Sequence, residues 1–559
     1  MASAAIYLNP EAYETSGQTL MGRHAAGESF LSGYLRHSTA ETYYFWNVAN
    51  ERQERLEEFL SAYELQGKPY EWIPRNQPHR LADAGAVHIP SPRVDEQAWI
   101  RRPVGDGRYS ISGITHTTAT ARIMASLANA VFAPVQPWDA IICTSRAVRA
   151  SVATQYEALS EYLQERLGAP APPLPRLVTI PLGLNTAAYR RDPEHRRTWR
   201  ERLEIPEDEV VVLYVGRFSL TSKMNPVPMA MALERMVQRS GRKVTWVLSG
   251  WANKGKEEDR FHEFTRAHCP SVTYKVVDGR KPDTRFSIWS VADIFLSLSD
   301  NVQETFGLTP VEAMAAGLPS VVSDWDGYKD TVRHKRDGFR IPTYSPRAGQ
   351  GLDLAYLYAS DWDSYDAFIG QTAQFTAVDL DEATSALVEL AENDELRRTM
   401  GESAAQRAAE AFDWRVIIPR YEALWANMEE RRKAAAERPE PVRNVFDNPW
   451  GLDPFRLFGA YPTEWLTPTT MVALAAGHTA ETAKAMLDRP MVRAGFPLLP
   501  TTEESGQIID FLAMRRQCHA VEVTDRFPFP RRGVVERGLL WLAKYGIVQV
   551  FSRSLRVSE

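Results

Sequence analysis

Short apolar runs of strand length alternate with helix-length stretches twice along this chain, and no other feature narrows its architecture as far. The first series holds AIYLN up to Asn9, AVHI at 86–89, SISGIT at 110–115, AIICTS at 140–145 and LVTIP at 177–181. Helical patterns separate these runs at about 28–36, 120–133 and 147–167, the first with Phe30, Leu31, Tyr34 and Leu35 on one side. Runs that are apolar throughout belong to strands buried on both faces, and their alternation with helices requires a parallel sheet covered by helices. A proline- and charge-rich stretch at 192–209 interrupts. The second series then runs through VVVLYVG (210–216), VTWVLSG (244–250), VTYKVV (272–277), ADIFLSLS (292–299) and LPSVVSD (318–324). The expected fold class is α/β, with two Rossmann-like halves, 1–200 and 201–436, facing a cleft that is a natural ligand site.

Beyond this the alternation lapses. Residues 343–377 are rich in Tyr, Asp, Gly and Gln and read as an insertion. A strong helical pattern resumes over 381–434, its last helix placed to cross back toward the first half. A charged, proline-containing linker around 435–450 leads to a small, mostly helical region at 450–559. There 506–517 and 531–545 read as helices and IVQVF as a closing strand, an order resembling a winged-helix module.

Composition sets outer limits. Hydrophobic residues make up 44% of the 559 and charged residues 24%, ordinary globular values. The net charge of −6 offers no field for coating a polyanion. From Thr501 onward nine Lys and Arg face seven Asp and Glu, too weak an excess for a DNA-reading domain. A protein surface, another copy of the chain included, is the expected partner of the tail. Cys143, Cys269 and Cys518 lie far apart, against a disulfide framework or a cysteine zinc site. The opening MASAAIYLNP has no basic segment before a long apolar stretch, and no run approaches the ~18 apolar residues of a membrane span. The expectation is a cytoplasmic protein, at most peripheral at the inner face of the membrane.

The chemistry concentrates at ETFGLTPVE (304–312), followed by AMAAGLPSVVSD. Glu304 and Glu312 flank Phe306, Gly307 and Leu308 where a strand passes into a helix. An isolated pair of glutamates at this spacing reads as a helix-dipole charge and a solvated face. Helix N-terminal amides, however, bind anions and hydroxyls, and carboxylates on either side of them can hold sugar hydroxyls.

Together with the EAMAxGxP that follows, this segment resembles the E-x7-E signature of GT-B retaining glycosyltransferases of family 4. The resemblance covers roughly residues 1–430 and is strongest at 210–342. It implies that Arg217 and Lys223, in YVGRFSLTSKMNP, clamp the diphosphate of a nucleotide-sugar donor, UDP- or GDP-linked. Fixed cations there stabilise the charge that develops as a nucleoside diphosphate departs, so no metal and no further cofactor is expected. It implies that His116, in GITHTTAT, contacts the transferred sugar near its anomeric centre. Glu304 and the amides around Phe306, Gly307 and Leu308 would hold the sugar's 3- and 4-hydroxyls, and Glu312 the ribose. Val277 and Asp278 would neighbour the base. Gly27, in the loop MGRHAAGESFL, would let the backbone approach the diphosphate or acceptor closely, as would Gly22.

The pattern is broken in places. PLGLN (181–185) puts Asn185 where an acidic residue is usual, SGWANK (249–254) lacks the Gly-x-Gly turn, and Asp326-Gly327 stands where Gly-Gly and a glutamate are customary. The diphosphate clamp is untouched by these departures, which bear on sugar and base. The expected activity is transfer of a sugar to a saccharide, lipid-linked or protein acceptor in polysaccharide biosynthesis. The expected mechanism is same-face attack, because no carboxylate occupies the place of a double-displacement nucleophile. The alternatives are a sugar-nucleotide epimerase or phosphorylase on the same architecture, or a sugar-nucleotide-sensing regulator using the tail.

Overall fold

The computed structural model describes residues 3–10, 22–63, 65, 67–252, 255–435, 448–489 and 498–551. The expected Gly22 contact loop therefore lies largely outside the described residues, as does most of the 435–450 linker. Residues Met1–Asp447 form one compact unit and Asn448–Glu559 a second.

The first unit holds two parallel sheets. In its first half β1 (Ala5–Leu8), β2 (Tyr43–Asn47), β3 (Tyr70–Pro74), β4 (Ala86–Ile89), β5 (Ser110–Ile114), β6 (Ala140–Cys143) and β7 (Arg176–Thr179) take the order β3-β2-β1-β4-β5-β6-β7. Ala5 of β1 sits between Tyr44 of β2 and Val87 of β4. The apolar runs marked in the sequence are strands here. β2 and β3 carry no uniform apolar run: YYFWN and YEWIP are aromatic-rich, and β3, at the sheet edge, is only partly buried. The second half has β8 (Val210–Val215), β9 (Val244–Gly250), β10 (Thr273–Asp278), β11 (Ile294–Ser297), β12 (Ser320–Ser323) and β13 (Gly338–Ile341), ordered β10-β9-β8-β11-β12-β13.

Each sheet reverses its direction of winding once, between β1 and β4 and between β8 and β11. Loops leaving the carboxyl ends of strands on either side of such a point diverge and open a crevice. This topology brings the loop after β8, with Arg217 and Lys223, beside the loop after β11, with Glu304.

The insertion is not a loop. A two-stranded antiparallel ribbon, β14 (Thr343–Tyr344) with β15 (Ala377–Val378), closes the base of two helices, Leu352–Ala359 and Tyr365–Gln374. The single helical pattern read over 381–434 is three helices: Leu380–Glu392, Asp394–Ala411 and Trp414–Ala435. Asn393 breaks the first from the second by capping it, its side chain accepting from the Leu396 amide. The third crosses to the first half. Ile417, Ile418, Tyr421 and Trp425 are buried there, at roughly 1.5–3 kcal/mol of transfer free energy each. Trp425 Nε1 donates to Ser112 Oγ of β5 at 3.1 Å, and Glu422 receives the hydroxyls of Ser38 and Thr39.

The second unit is helical around a small antiparallel sheet, β17-β16-β18, with β16 (Met471–Leu474) in the centre, β17 (Cys518–His519) and β18 (Val548–Phe551). The expected helices are Thr502–Met514 and Arg532–Lys544, and β16 and the helix Ala480–Leu487 add to them. Val472, Ile508, Leu512, Leu539 and Leu542 form its core. No helix among the described residues is long and apolar enough to cross a membrane.

Candidate active site

The structure gathers the principal candidates at the switch point of the second half. Gly307, at φ +84°, starts the helix Leu308–Ala315, and a Cβ there would stand 2.1 Å from the Tyr328 ring. Only glycine fits this turn. Glu304 Oε1 accepts from the amides of Thr305 (3.2 Å) and Gly307 (3.0 Å), satisfying donors that the helix start leaves open. Its other oxygen, Oε2, faces Lys223 Nζ at 3.6 Å. The Gly307 amide, expected to meet a sugar, is thus occupied by Glu304. Phe306 is 1% exposed and packs edge-on to Phe412, so it offers a ligand its backbone and not its ring. Leu308 is half-buried beneath the turn.

Arg217 follows β8, its carbonyl accepting from the buried Tyr214 hydroxyl at 3.2 Å. Burial raises the Tyr214 phenol, with the Arg217 cation opposing and the Glu304 carboxylate reinforcing the rise. One side chain therefore lies within electrostatic reach of both candidates. The loops after β8 and β9 meet without intervening side chains, since a Cβ on Gly250 would lie 1.9 Å from the Gly216 carbonyl. Sequence reading noticed only the missing Gly-x-Gly at 249–254; the glycine that matters closes the strand.

From the first half, His116 reaches the same place. Its carbonyl accepts from Thr305 Oγ1 (3.3 Å), and Thr144 Oγ1 donates to the Thr305 carbonyl (3.2 Å). Gly27 and His116 line one small pocket with His88, Trp414 and Tyr421. Burial drives the His88 imidazole down to about 3, so it is neutral at physiological pH and serves the aromatic packing around Phe30 and Trp425.

The remaining candidates stand apart. Glu312 is half-buried, its carboxyl raised by burial, and accepts from the Tyr189 hydroxyl at 2.9 Å. Tyr189 also borders a cleft shared with Glu28, Arg36, Arg285 and Trp414, none of which the sequence had singled out. Val277 and Asp278 end β10, two strands from β8, and Asp278 is paired with Arg280 (2.9 and 3.0 Å), which lowers its carboxyl. Gly22 is the first residue of the helix Gly22–His37.

Sequence reading also passed over a pair of contacts between the halves. Ser145 Oγ donates to Asp326 Oδ1 at 3.1 Å while accepting from the Val148 amide. Next to it, Arg146 meets Asp330 through its backbone amide (2.7 Å) and Nε (2.6 Å). Burial, reinforced by Glu304, brings the Asp326 carboxyl up to about 7; Asp300, with one buried oxygen unpartnered, rises to about 7 through burial alone. Among the described residues no group of three or more His, Cys, Asp or Glu is arranged to hold a metal ion.

Comparison with known proteins places similarity on the same segment. Residues 195–351 match the family described as "Glycosyl transferases group 1". The lipopolysaccharide 1,2-N-acetylglucosaminetransferase of Salmonella typhimurium is 26% identical over 194 residues, 34% of this chain and 49% of that protein. The D-inositol 3-phosphate glycosyltransferase of Xylanimonas cellulosilytica is 28% identical over 289 residues, 50% of this chain and 65% of that protein. The matched stretch thus spans about half to two thirds of these relatives. Among solved structures, Anabaena HepE in complex with UDP is similar at 15% identity, covering 76% of this chain and 100% of that one, with a TM-score of 0.48.

Proposed function

We propose that this chain is a glycosyltransferase that moves a sugar from a nucleoside-diphosphate sugar to a hydroxyl of a saccharide, lipid-linked or protein acceptor, with retention at the anomeric carbon. The observation that carries the reading is the convergence of Lys223, Glu304 and the His116 loop at one switch point, the first two inside the segment that matches the glycosyltransferase family. Two curated relatives, one named as an N-acetylglucosaminetransferase and the other as a glycosyltransferase, support it.

Each residue then has a task. Arg217 and Lys223 hold the diphosphate and stabilise its charge as the bond to the sugar breaks. Glu304 fixes the turn through one oxygen and offers the other to the sugar's 3- and 4-hydroxyls. The His116 loop closes on the sugar from the first half. Glu312, kept in place by Tyr189, takes the ribose, and Val277 and Asp278 border the base. The acceptor attacks the face the diphosphate leaves, and the departing phosphate takes its proton. These cations do the work a divalent ion does elsewhere, and catalysis is expected to survive EDTA. The second unit, read as winged-helix-like, recruits a protein partner or a second copy, and the enzyme acts in the cytoplasm or at the inner face of the membrane.

The test is a thermal-shift screen of UDP, GDP, ADP and dTDP, then a transfer and hydrolysis assay with the matching sugar nucleotides. A ligand of the folded state at about 100 times its Kd adds about 2.7 kcal/mol of stability. Melting temperatures unmoved by all four nucleotides would sink the reading.

A further inference from the structure

The insertion between β14 and β15 has no part in any motif, yet its helical hairpin touches the loops that carry His116, Lys223 and Glu304. Tyr358 of its first helix anchors it to the first half. The Tyr358 hydroxyl accepts from the Ala121 amide at 2.7 Å and donates to the Ala119 carbonyl at 3.4 Å, at the start of the helix that follows the His116 loop. Its second helix backs onto the second half, where a Cβ on Gly370 would lie 3.1 Å from Thr221, two residues before Lys223. Stacking of Tyr358 on Phe368, with centroids 4.3 Å apart and planes 6° from parallel, locks one helix to the other.

Tyr365 opens the second helix, directly after its Ser364 cap. Its hydroxyl oxygen is buried, lies against the side chains of Thr117 and Gln303, and completes no hydrogen bond of normal geometry. Thr117 follows His116 and Gln303 precedes Glu304. A buried phenol oxygen without a partner is costly, and phenylalanine would fill the space without that cost. Tyr358, in the same hairpin, holds both its partners in good geometry; the Tyr365 hydroxyl has Thr117 and Gln303 beside it and closes a well-formed hydrogen bond to neither. Its hydroxyl is therefore poised for a group that enters where the loops carrying His116 and Glu304 meet.

We propose that Tyr365 lines the subsite of the transferred sugar and selects the donor, its hydroxyl exchanging a hydrogen bond with a sugar hydroxyl. The inference rests on the glycosyltransferase reading above, because the group that enters where these loops meet is the sugar only under that reading. A site built to pair with a hydroxyl discriminates by leaving buried polar groups unpaired when the wrong sugar binds.

The experiment compares wild type, Tyr365→Phe and Tyr358→Phe. Calorimetry measures the affinity of the nucleoside diphosphate that binds the wild type, and steady-state kinetics with UDP-glucose, UDP-galactose, UDP-N-acetylglucosamine and GDP-mannose gives the donor ranking. Tyr365→Phe is expected to keep the melting temperature and the nucleoside-diphosphate affinity, while the preferred sugar's advantage in kcat/KM falls about tenfold. Tyr358→Phe, which only loosens the anchor, is expected to lower all donors together. An unchanged donor ranking in Tyr365→Phe, or an effect confined to acceptor KM, overturns this inference and leaves the glycosyltransferase reading standing. A wild type that binds none of the nucleotides and uses none of the donors removes both.

Discussion

Lys223 Nζ lies 3.6 Å from Glu304 Oε2, joining the loop after β8 to the loop after β11 across the switch point of the second sheet. Both side chains keep some solvent exposure, so the pair contributes at most about 1 kcal/mol to stability. Lys223→Ala and Glu304→Ala are each expected to lower sugar transfer by about 10²–10³-fold. The melting temperature of Lys223→Ala should stay near wild type. Glu304→Ala should lose slightly more, because it also uncaps the Thr305 and Gly307 amides. Near-wild-type turnover in either variant would remove that residue from the site.

Gly307→Ala tests the turn itself. The substitution combines φ +84° with a Cβ 2.1 Å from the Tyr328 ring, which is backed by Ser297 through a 2.9 Å hydrogen bond. A loss of about 2 kcal/mol or more is expected in urea unfolding. A variant as stable as wild type would mean that the turn has another conformation.

Asp326 gives the contact between the halves a pH dependence. Its folded-state carboxyl, at about 7 against an ordinary 3.8, holds a proton more tightly than the unfolded chain does. Between about pH 4 and 7 the native state binds the extra proton, so its stability falls as pH rises through that window. Asp326→Asn keeps an oxygen for Ser145, tolerates the positive φ at this position and cannot ionise. It should match wild type near pH 4 and exceed it at pH 8 by about 1 kcal/mol, allowing for solvent screening. Parallel stability profiles for the two proteins would refute the assignment.

Arg101 and Asp139 form a fully buried, bidentate pair in the first half, with both contacts at 2.7 Å. Asp139 also accepts from the amides of Ile111 and Gln136, fixing the start of β5, the strand that leads to His116. Arg101→Met leaves that carboxylate buried without its cation and is expected to cost about 3–5 kcal/mol in denaturant unfolding. A loss below about 1 kcal/mol would show that water reaches the pair.

All the candidate site residues belong to the unit Met1–Asp447. A chain ending at Asp447 is therefore expected to bind nucleotide with wild-type affinity by calorimetry. Loss of binding by a folded truncated chain would put the second unit in the active site.

The sequence by itself determined the repeating strand–helix order, the division into two halves and the placing of the candidate residues at the ends of β8 and β11. Those features were legible because they are local: a strand buried on both faces must be apolar along its length, and a ligand-binding loop must follow its carboxyl end. YYFWN and YEWIP escaped because an aromatic, partly exposed strand has no such uniform pattern. The break at Asn393 escaped because a cap is one residue inside a continuous helical periodicity. Tertiary structure alone decided which loops meet. Tyr189 reaches Glu312 from 123 residues away, Ser145 reaches Asp326 from 181, and Tyr358 reaches Ala121 from 237. No periodicity encodes such pairs. They exist because the packed sheets and the returning helix Trp414–Ala435 bring distant loops within hydrogen-bonding distance, where burial makes each polar group find a partner or wait for one.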